Sequence, residues 1–279
     1  MWLSVLDFLH QAGALALEMQ SSAQTDSHLK NEHISSVVTQ ADLRISQMFA
    51  AFAEKNFTKE NYIIIDEESI SKIDGNIFER MQQAEYQLVI DPIDGTLVYA
   101  NGMPSWGILI GVFKNLKPIG GFIYLPTTQE LAYCLNGEAF YLQHAFQKNE
   151  IKHHLTPKRA KTPFIYLLHH FQYDVDYTGN FGKISTFDFY SQAANHLYVL
   201  TGYVRANICK CHLWDTAAAM AFVKPLGLAF KNYQTEQNIE SIDLSWLDDK
   251  LTLTADVVLS KAEDFSELKK IISPKKGAL

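Results

Sequence analysis

The chain has 279 residues, of which 47% are hydrophobic and 20% charged, and its formal net charge is −7. That much apolar material excludes a disordered or low-complexity chain. The acidic balance argues against a partner held by phosphate neutralisation, so no nucleic-acid polymer is expected.

The opening, Trp2 to Met19, spaces Leu3, Leu6, Leu9, Gly13 and Leu17 as an amphipathic helix does. No lysine or arginine precedes Lys30, so this start lacks the basic region of a signal peptide. Residues 21–36 are polar and read as a loop. A second helix is predicted over about Gln40 to Asn56, carried by Leu43, Ile45, Met48, Phe49 and Phe52. Tyr62–Ile65 and Gln87–Ile90 are short β-branched runs that read as buried strands ending at carboxylates. Trp106–Phe113, Pro118–Tyr124, Glu130–Leu135 and Ala139–Leu142 form an expected antiparallel meander, turning at Lys114-Asn115 and Asn136-Gly137. Further on, Phe164–His169 reads as a strand, Phe187–Gly202 and Trp214–Val223 as helices, Leu251–Leu259 as a late strand and Phe265–Ile272 as a terminal helix. The longest uncharged stretch, Leu97 to Phe113, is broken by Gly102, Pro104, Gly107 and Gly111, so no membrane span is expected. Three cysteines, Cys134, Cys209 and Cys211, are too few for a disulfide framework and point to a reducing, cytoplasmic setting. The mixture of elements is α+β or layered α/β.

Four acidic motifs carry the chemistry. Asp91-Pro92-Ile93-Asp94-Gly95-Thr96 follows a strand; a turn there would aim two carboxylates and the Ile93 carbonyl at one point, an oxygen set suited to Mg²⁺. Asp66-Glu67-Glu68-Ser69 also caps a strand. Asp215, in Trp214-Asp215-Thr216-Ala217-Ala218, stands where a helix N-cap would, and the small residues after it allow close packing on a sheet. Thr39, in Val38-Thr39-Gln40-Ala41-Asp42, reads as a helix cap with Asp42 at the third position. Taken singly, each is an ordinary turn or cap. Four together imply one acidic pocket, which needs cations to stay ionised. Cys209-Lys210-Cys211-His212 is too small a set for a zinc site and reads as buried thiols. The pairs His153-His154 and His169-His170 face opposite sides if extended, so neither is a chelate.

These residues resemble the inositol monophosphatase family of Mg²⁺-dependent, lithium-sensitive phosphatases. The hexapeptide Asp91–Thr96 is identical to that family's D-P-I-D-G-T signature, and the other three motifs are similar to its V-T-x-x-D, G-E-E-S and W-D-x-A-A elements, in the same order. The resemblance implies stacked α-β-α-β-α layers and a homodimer. It divides the chain into an N-terminal α+β half, residues 1–150, with most metal ligands, and a C-terminal half, residues 151–279, that adds Asp215, the two forming one catalytic unit. It implies a first Mg²⁺ on Glu67, Asp91 and the Ile93 carbonyl, a second on Asp91, Asp94 and Asp215, and a weaker third near Glu67. Thr96 and Asp42 would orient the attacking water. Asp94, Gly95, Thr96, Ser191, Ala193 and Asp215 would contact a small phosphate ester. Some positions depart from the family. Asp66 replaces the glycine before the paired glutamates and reads as pointing to solvent. Val98 stands where an asparagine is usual, and no acid stands at Asn207–Cys209 to meet an inositol. The implied function is a phosphomonoesterase. The alternatives are a 3′(2′),5′-bisphosphate nucleotidase acting on 3′-phosphoadenosine 5′-phosphate and a catalytically silent binding module.

Overall fold

The computed structural model describes residues 2–25, 34–57, 61–70, 76–156, 164–167, 175–177 and 185–274. Helices α1 (Trp2–Thr25) and α2 (Ile34–Asn56) come first, so the described residues of the expected loop 21–36 are helical. Strand β1 (Tyr62–Asp66), helix α3 (Ile77–Gln83), strand β2 (Tyr86–Asp94) and helix α4 (Thr96–Ala100) follow. The meander β3 (Gly107–Lys114), β4 (Lys117–Leu125), β5 (Glu130–Leu135), β6 (Glu138–Gln143) and β7 (Ile151–His154) completes a seven-stranded sheet in sequence order. Only the β1–β2 pair in it is parallel. The first hairpin of the meander turns on Asn115 and Leu116, both left-handed, one residue later than expected.

The second half begins with β8 (Phe164–Leu167), β9 (Val175–Tyr177) and β10 (Ser185–Phe187). Then come α5 (Gln192–Leu200), β11 (Ala206–Cys209), α6 (Leu213–Val223), β12 (Leu228–Asn232), β13 (Val257–Lys261), α7 (Ala262–Ile271) and β14 (Ile272–Pro274). A five-stranded sheet runs β10-β8-β11-β13-β12, and β14 pairs with β9. Of the late strand expected over Leu251–Leu259, only Val257 onward joins a ladder; Leu251 and Leu253 alternate and are buried, but Leu253 makes only an isolated bridge to Leu247.

Side-chain alternation sorts the layers. Leu88 and Ile90 of β2, with Ile108, Ile110 and Val112 of β3, bury against Phe8 of α1 and Ile45 and Phe49 of α2. Val89, Leu109 and Ile123 face the other way, onto Leu197 of α5 and Ala217, Ala218 and Phe222 of α6. Cys209, Val257 and Leu259 of the second sheet close that same core from beneath. The outer face of the second sheet, Ala206, Ile208 and Val258, packs on Phe265 and Leu268 of α7. The result is the layered α-β-α-β-α sandwich. Helix α6 reaches the first sheet closely because the facing strand positions carry no side chains. A Cβ on Gly111 would stand 2.7 Å from Ala217 Cβ and 2.8 Å from its carbonyl carbon, and one on Gly121 would strike the Ala218 carbonyl oxygen. Among the described residues, no helix is long and apolar enough to cross a membrane. The three cysteines are free and buried.

Candidate active site

The Asp91–Thr96 segment is not a turn, as its sequence led us to expect. Strand β2 continues through Asp94, and its register against β3 shifts between Asp91, opposite Leu109, and Asp94, opposite Gly107. Pro92 lacks an N–H, and an irregular ladder position is where a strand tolerates that. The bulge brings both aspartates to one side of the strand end. Gly95 then starts α4 with φ +88°. A Cβ there would lie 2.9 Å from Ser191 Cβ and 3.0 Å from the Tyr190 carbonyl oxygen, so both backbone and space call for glycine.

Asp215 is also placed differently from expectation. His212 is the cap of α6, and Asp215 is the third helical residue, whose Oδ2 accepts from the His212 N–H at 2.8 Å. That bond turns the carboxylate back toward the helix start, and the helix delivers it to the β2 bulge. Oxygens of Asp91, Asp94 and Asp215 all lie within 4.8 Å of one another. Asp42 is not in a capping turn either, because α2 already begins at Ile34; it lies within the helix and is 2% exposed. Glu67 follows β1 in a turn, half-buried. Asp66 is 3% exposed, not solvent-pointing: its Oδ1 accepts from Ser46 Oγ and from the Glu68 N–H, both at 3.1 Å.

Ser191 and Ala193, expected at the substrate, are committed to Asp94. Ser191 Oγ and the Ala193 N–H (2.7 Å) donate to its Oδ2, and the Gln192 N–H (3.0 Å) donates to its Oδ1. The first turn of α5 thus holds a carboxylate from the other sheet, using donors a helix start leaves free. Ser191 also caps α5 by accepting from the Ala194 N–H at 3.2 Å. The exposed Thr96 sits just beyond, its hydroxyl donating to the Ile93 carbonyl at 3.4 Å. Asp188 was not singled out in the sequence. It accepts from the Tyr190 N–H and Asn195 Nδ2, which fixes the loop leading into Ser191.

The electrostatics are those of crowded acids. Burial, then Glu68, Glu67 and Asp66, pushes Asp42 up to about 8. Burial, then Glu68, Asp94 and Asp66, pushes Glu67 up to about 7. Burial followed by Glu67, Asp94, Asp215 and Asp42 carries Asp91 well above the carboxylate range. Asp215 rises to about 8, through burial and then Asp94. Asp94 rises less, to about 6, because the α5 donors oppose its burial. Asp91 Oδ1 is buried without a hydrogen-bond partner among the described residues. Ionised side by side, these groups are costly; around a divalent cation their repulsion becomes attraction. The donors are all hard oxygens, so the residues fit Mg²⁺.

Of the remaining sequence readings, Cys209 and Cys211 are buried thiols with sulfurs 3.6 Å apart, outside the acidic group. His153 and His154 sit in β7 and are exposed; His169 and His170 lie outside the described residues. Asn207 is 1% exposed and spends its amide on Gln192 Oε1 at 2.7 Å.

A sequence profile of the inositol monophosphatase family matches residues 4–265. The fructose-1,6-bisphosphatase/inositol-1-monophosphatase of Aquifex aeolicus is 39% identical over 59 residues, covering 21% of this chain and 22% of that protein. The 3′(2′),5′-bisphosphate nucleotidase CysQ of Aggregatibacter actinomycetemcomitans is 27% identical over 150 residues, covering 54% of this chain and 52% of that protein. These stretches span between about a fifth and a half of the curated relatives' own length. The crystal structure of 2′AMP-bound SaIMPase-II shares the fold with a TM-score of 0.67, at 16% identity, over 97% of this chain and 94% of that one.

Proposed function

The chain belongs to the inositol monophosphatase family, and from that premise we propose that it is a Mg²⁺-dependent phosphomonoesterase acting on a small phosphorylated metabolite. The observation that carries this reading is the convergence of Asp91, Asp94 and Asp215, with a buried, unpartnered oxygen on Asp91. Asp91, Asp94 and Asp215 would hold one cation, and Glu67, Asp91 and the Ile93 carbonyl a second; a third, weaker ion near Glu67 belongs to the same reading. Bound Mg²⁺ would supply positive charge for the phosphoryl oxygens and the leaving oxygen.

The chain's own part is orientation and proton handling. Three donors from α5 fix Asp94 before any ligand arrives. Thr96 directs its hydroxyl hydrogen at the Ile93 carbonyl, so its lone pairs are free to accept from a water. Asp42 is buried beside Glu67, Glu68 and Asp66, which keep it protonated in the metal-free chain; cations that relieve this crowding would let it ionise and, with Thr96, orient the water and take up its proton. The same reading includes lithium inhibition and a homodimer, which are checked by adding Li⁺ to the assay and by light scattering.

A nucleotide substrate is the second reading. Leu97 and Tyr190, 64% and 54% exposed, flank Gly95 at the edge of the site, while Asn207 is buried. An ester whose alcohol part lay against these side chains would meet apolar surface, which favours a nucleoside over a polyol in this reading. The test is phosphate release from inositol 1-phosphate, 3′-phosphoadenosine 5′-phosphate, fructose 1,6-bisphosphate and histidinol phosphate, with Mg²⁺ and with chelator. Metal-dependent release from one ester is the expected result. No release from any, with Mg²⁺ bound to folded protein, would overturn the enzymatic reading in favour of a silent binding module.

A further inference from the structure

The turn after β1 holds one more buried acid than ligand binding requires. Asp66 is 3% exposed and lies among Asp42, Glu67 and Glu68, the first two of which it drives toward protonation. Placing a carboxylate there is costly, so its hydrogen bonds must offset the cost. Its Oδ1 receives two. The Glu68 N–H closes the turn locally, and the Asp66 carbonyl closes it again by accepting from the Ser69 N–H at 3.1 Å. The Ser46 hydroxyl comes from α2. Ser46 lies one helical turn after Asp42, so the two share a helix face directed at this turn. A single carboxylate oxygen therefore joins the helix that carries Asp42 to the backbone that carries Glu67.

Resting on the cation-binding reading above, we propose that Asp66 is a positioning residue whose carboxylate fastens the Glu67 turn to α2 and thereby sets Glu67 against Asp42. Glu67 sits in a short turn, where three or four backbone torsions decide where its carboxylate lies. The fastening runs through Oδ1, whose two lone pairs are engaged by Ser46 and Glu68.

The experiment compares Asp66→Ala, Asp66→Asn and Ser46→Ala with the unaltered chain. Mg²⁺ binding is measured by calorimetry, melting temperature by scanning calorimetry, and kcat and KM on whichever ester the panel identifies. Removing a group that orients a metal ligand costs about 10–100-fold in metal affinity or activity. Asp66→Ala is expected to fall in that range for Mg²⁺ affinity and for kcat, with substrate KM within about 3-fold, since Asp66 touches no substrate. Ser46→Ala should fall in the same direction. Asp66→Asn keeps the accepting oxygen and should restore most of the loss. Two results overturn the proposal: Asp66→Ala binding Mg²⁺ like the unaltered chain, or Asp66→Asn failing as badly as Asp66→Ala, which would make charge and not fastening the cause. An unaltered chain that binds Mg²⁺ but hydrolyses nothing would remove the phosphatase reading alone, because the calorimetric comparison stands without turnover.

Discussion

Gly111→Ala is the sharpest test of how the sheet positions Asp215. The added methyl would stand 2.7 Å from Ala217 Cβ and 2.8 Å from the Ala217 carbonyl carbon, where ordinary contact begins at 3.4 Å. Relief requires a shift of about 0.7 Å, and because the obstacles are the Cβ and backbone of a helix residue, no side-chain rotation provides it. Overpacking of this kind costs about 1–3 kcal/mol, or roughly 2–4 °C of melting temperature per kcal/mol in a chain of this size. The helix that must yield is α6, and Asp215 lies two residues from the point of contact. Metal sites tolerate ligand displacements of only about 0.2 Å, so Mg²⁺ affinity should fall with stability. Gly120→Ala is the control. It lies on the neighbouring strand β4, paired with Val112 and facing the opposite side, where the nearest atom to a new Cβ is the Leu135 Cδ2 tip at 3.2 Å. That tip can move, so the control should cost under about 1 kcal/mol and leave Mg²⁺ binding intact. Thermal unfolding with and without Mg²⁺ reads both. If Gly111→Ala melts and binds Mg²⁺ as the unaltered chain does, then close contact between β3 and α6 does not set the position of Asp215.

Asp91→Asn should raise the melting temperature of the metal-free protein while abolishing its stabilisation by Mg²⁺ and its phosphate release. The substitution replaces, at nearly constant shape, an acid that burial and its neighbours Glu67, Asp94 and Asp215 force to take up a proton on folding, with a group that carries no such cost; a lower metal-free melting temperature would show that the carboxyl is structural. The pH dependence follows from the same crowding. Folded-state values of about 8, 7 and 6 for Asp215, Glu67 and Asp94, and about 8 for Asp42, exceed their ordinary values. The folded chain then binds more protons than the unfolded one, so metal-free stability should rise as pH falls from about 8 toward 5, by up to about 1.4 kcal/mol per pH unit per proton. Buried His196, pushed down to about 3, and His212, also lowered by burial, oppose this below their ordinary 6.5 as the unfolded chain takes up their protons, but they are two groups against five carboxyls, Asp91 included. Added Mg²⁺ needs ionised carboxylates, so its stabilising increment should shrink over the same interval. Melting curves from pH 8 to 5.5 with and without Mg²⁺ decide it; a metal-free melting temperature that climbs with pH would refute the sign.

Sequence spacing located the acids better than it described how they meet. The apolar runs Ile63–Ile65 and Leu88–Ile90 placed Glu67, Asp91 and Asp94 at strand ends because a buried strand is legible from its own residues. The bulge that gathers Asp91 and Asp94 is a property of register against β3, and a strand's composition does not state its partner's register. Asp42 read as part of a cap because Thr39-x-x-Asp42 has the spacing of a capping box, yet α2 runs through it. Asp66 read as solvated because its two donors are invisible locally: Ser46 lies twenty residues earlier and the Glu68 N–H is created by the turn. Ser191 looked like a substrate contact, and its nearest acceptor proved to be a carboxylate 97 residues away.

The acids are supplied by four separate elements, and that explains why the fold tolerates them together. Asp42 comes from within a helix, Glu67 from a turn, Asp91 and Asp94 from a strand bulge, and Asp215 from the first turn of α6. No element carries the whole repulsion, so none has to fold against it alone; the cost falls due only when the layers stack. Stacking is driven by the cores on both faces of the seven-stranded sheet, which are large and apolar. Before docking, the chain pays little for its acids. After docking, it holds them at spacings that a divalent cation relieves. Mg²⁺ should therefore stabilise chiefly the association of α6 and α2 with the sheet, and hydrogen exchange with and without Mg²⁺ should show its largest protection gains at Leu213–Ala218 and around Asp42, with little change in α7. Uniform protection across α7 as well would mean that the layers dock as one unit and that the acids are not charged to the interfaces between them.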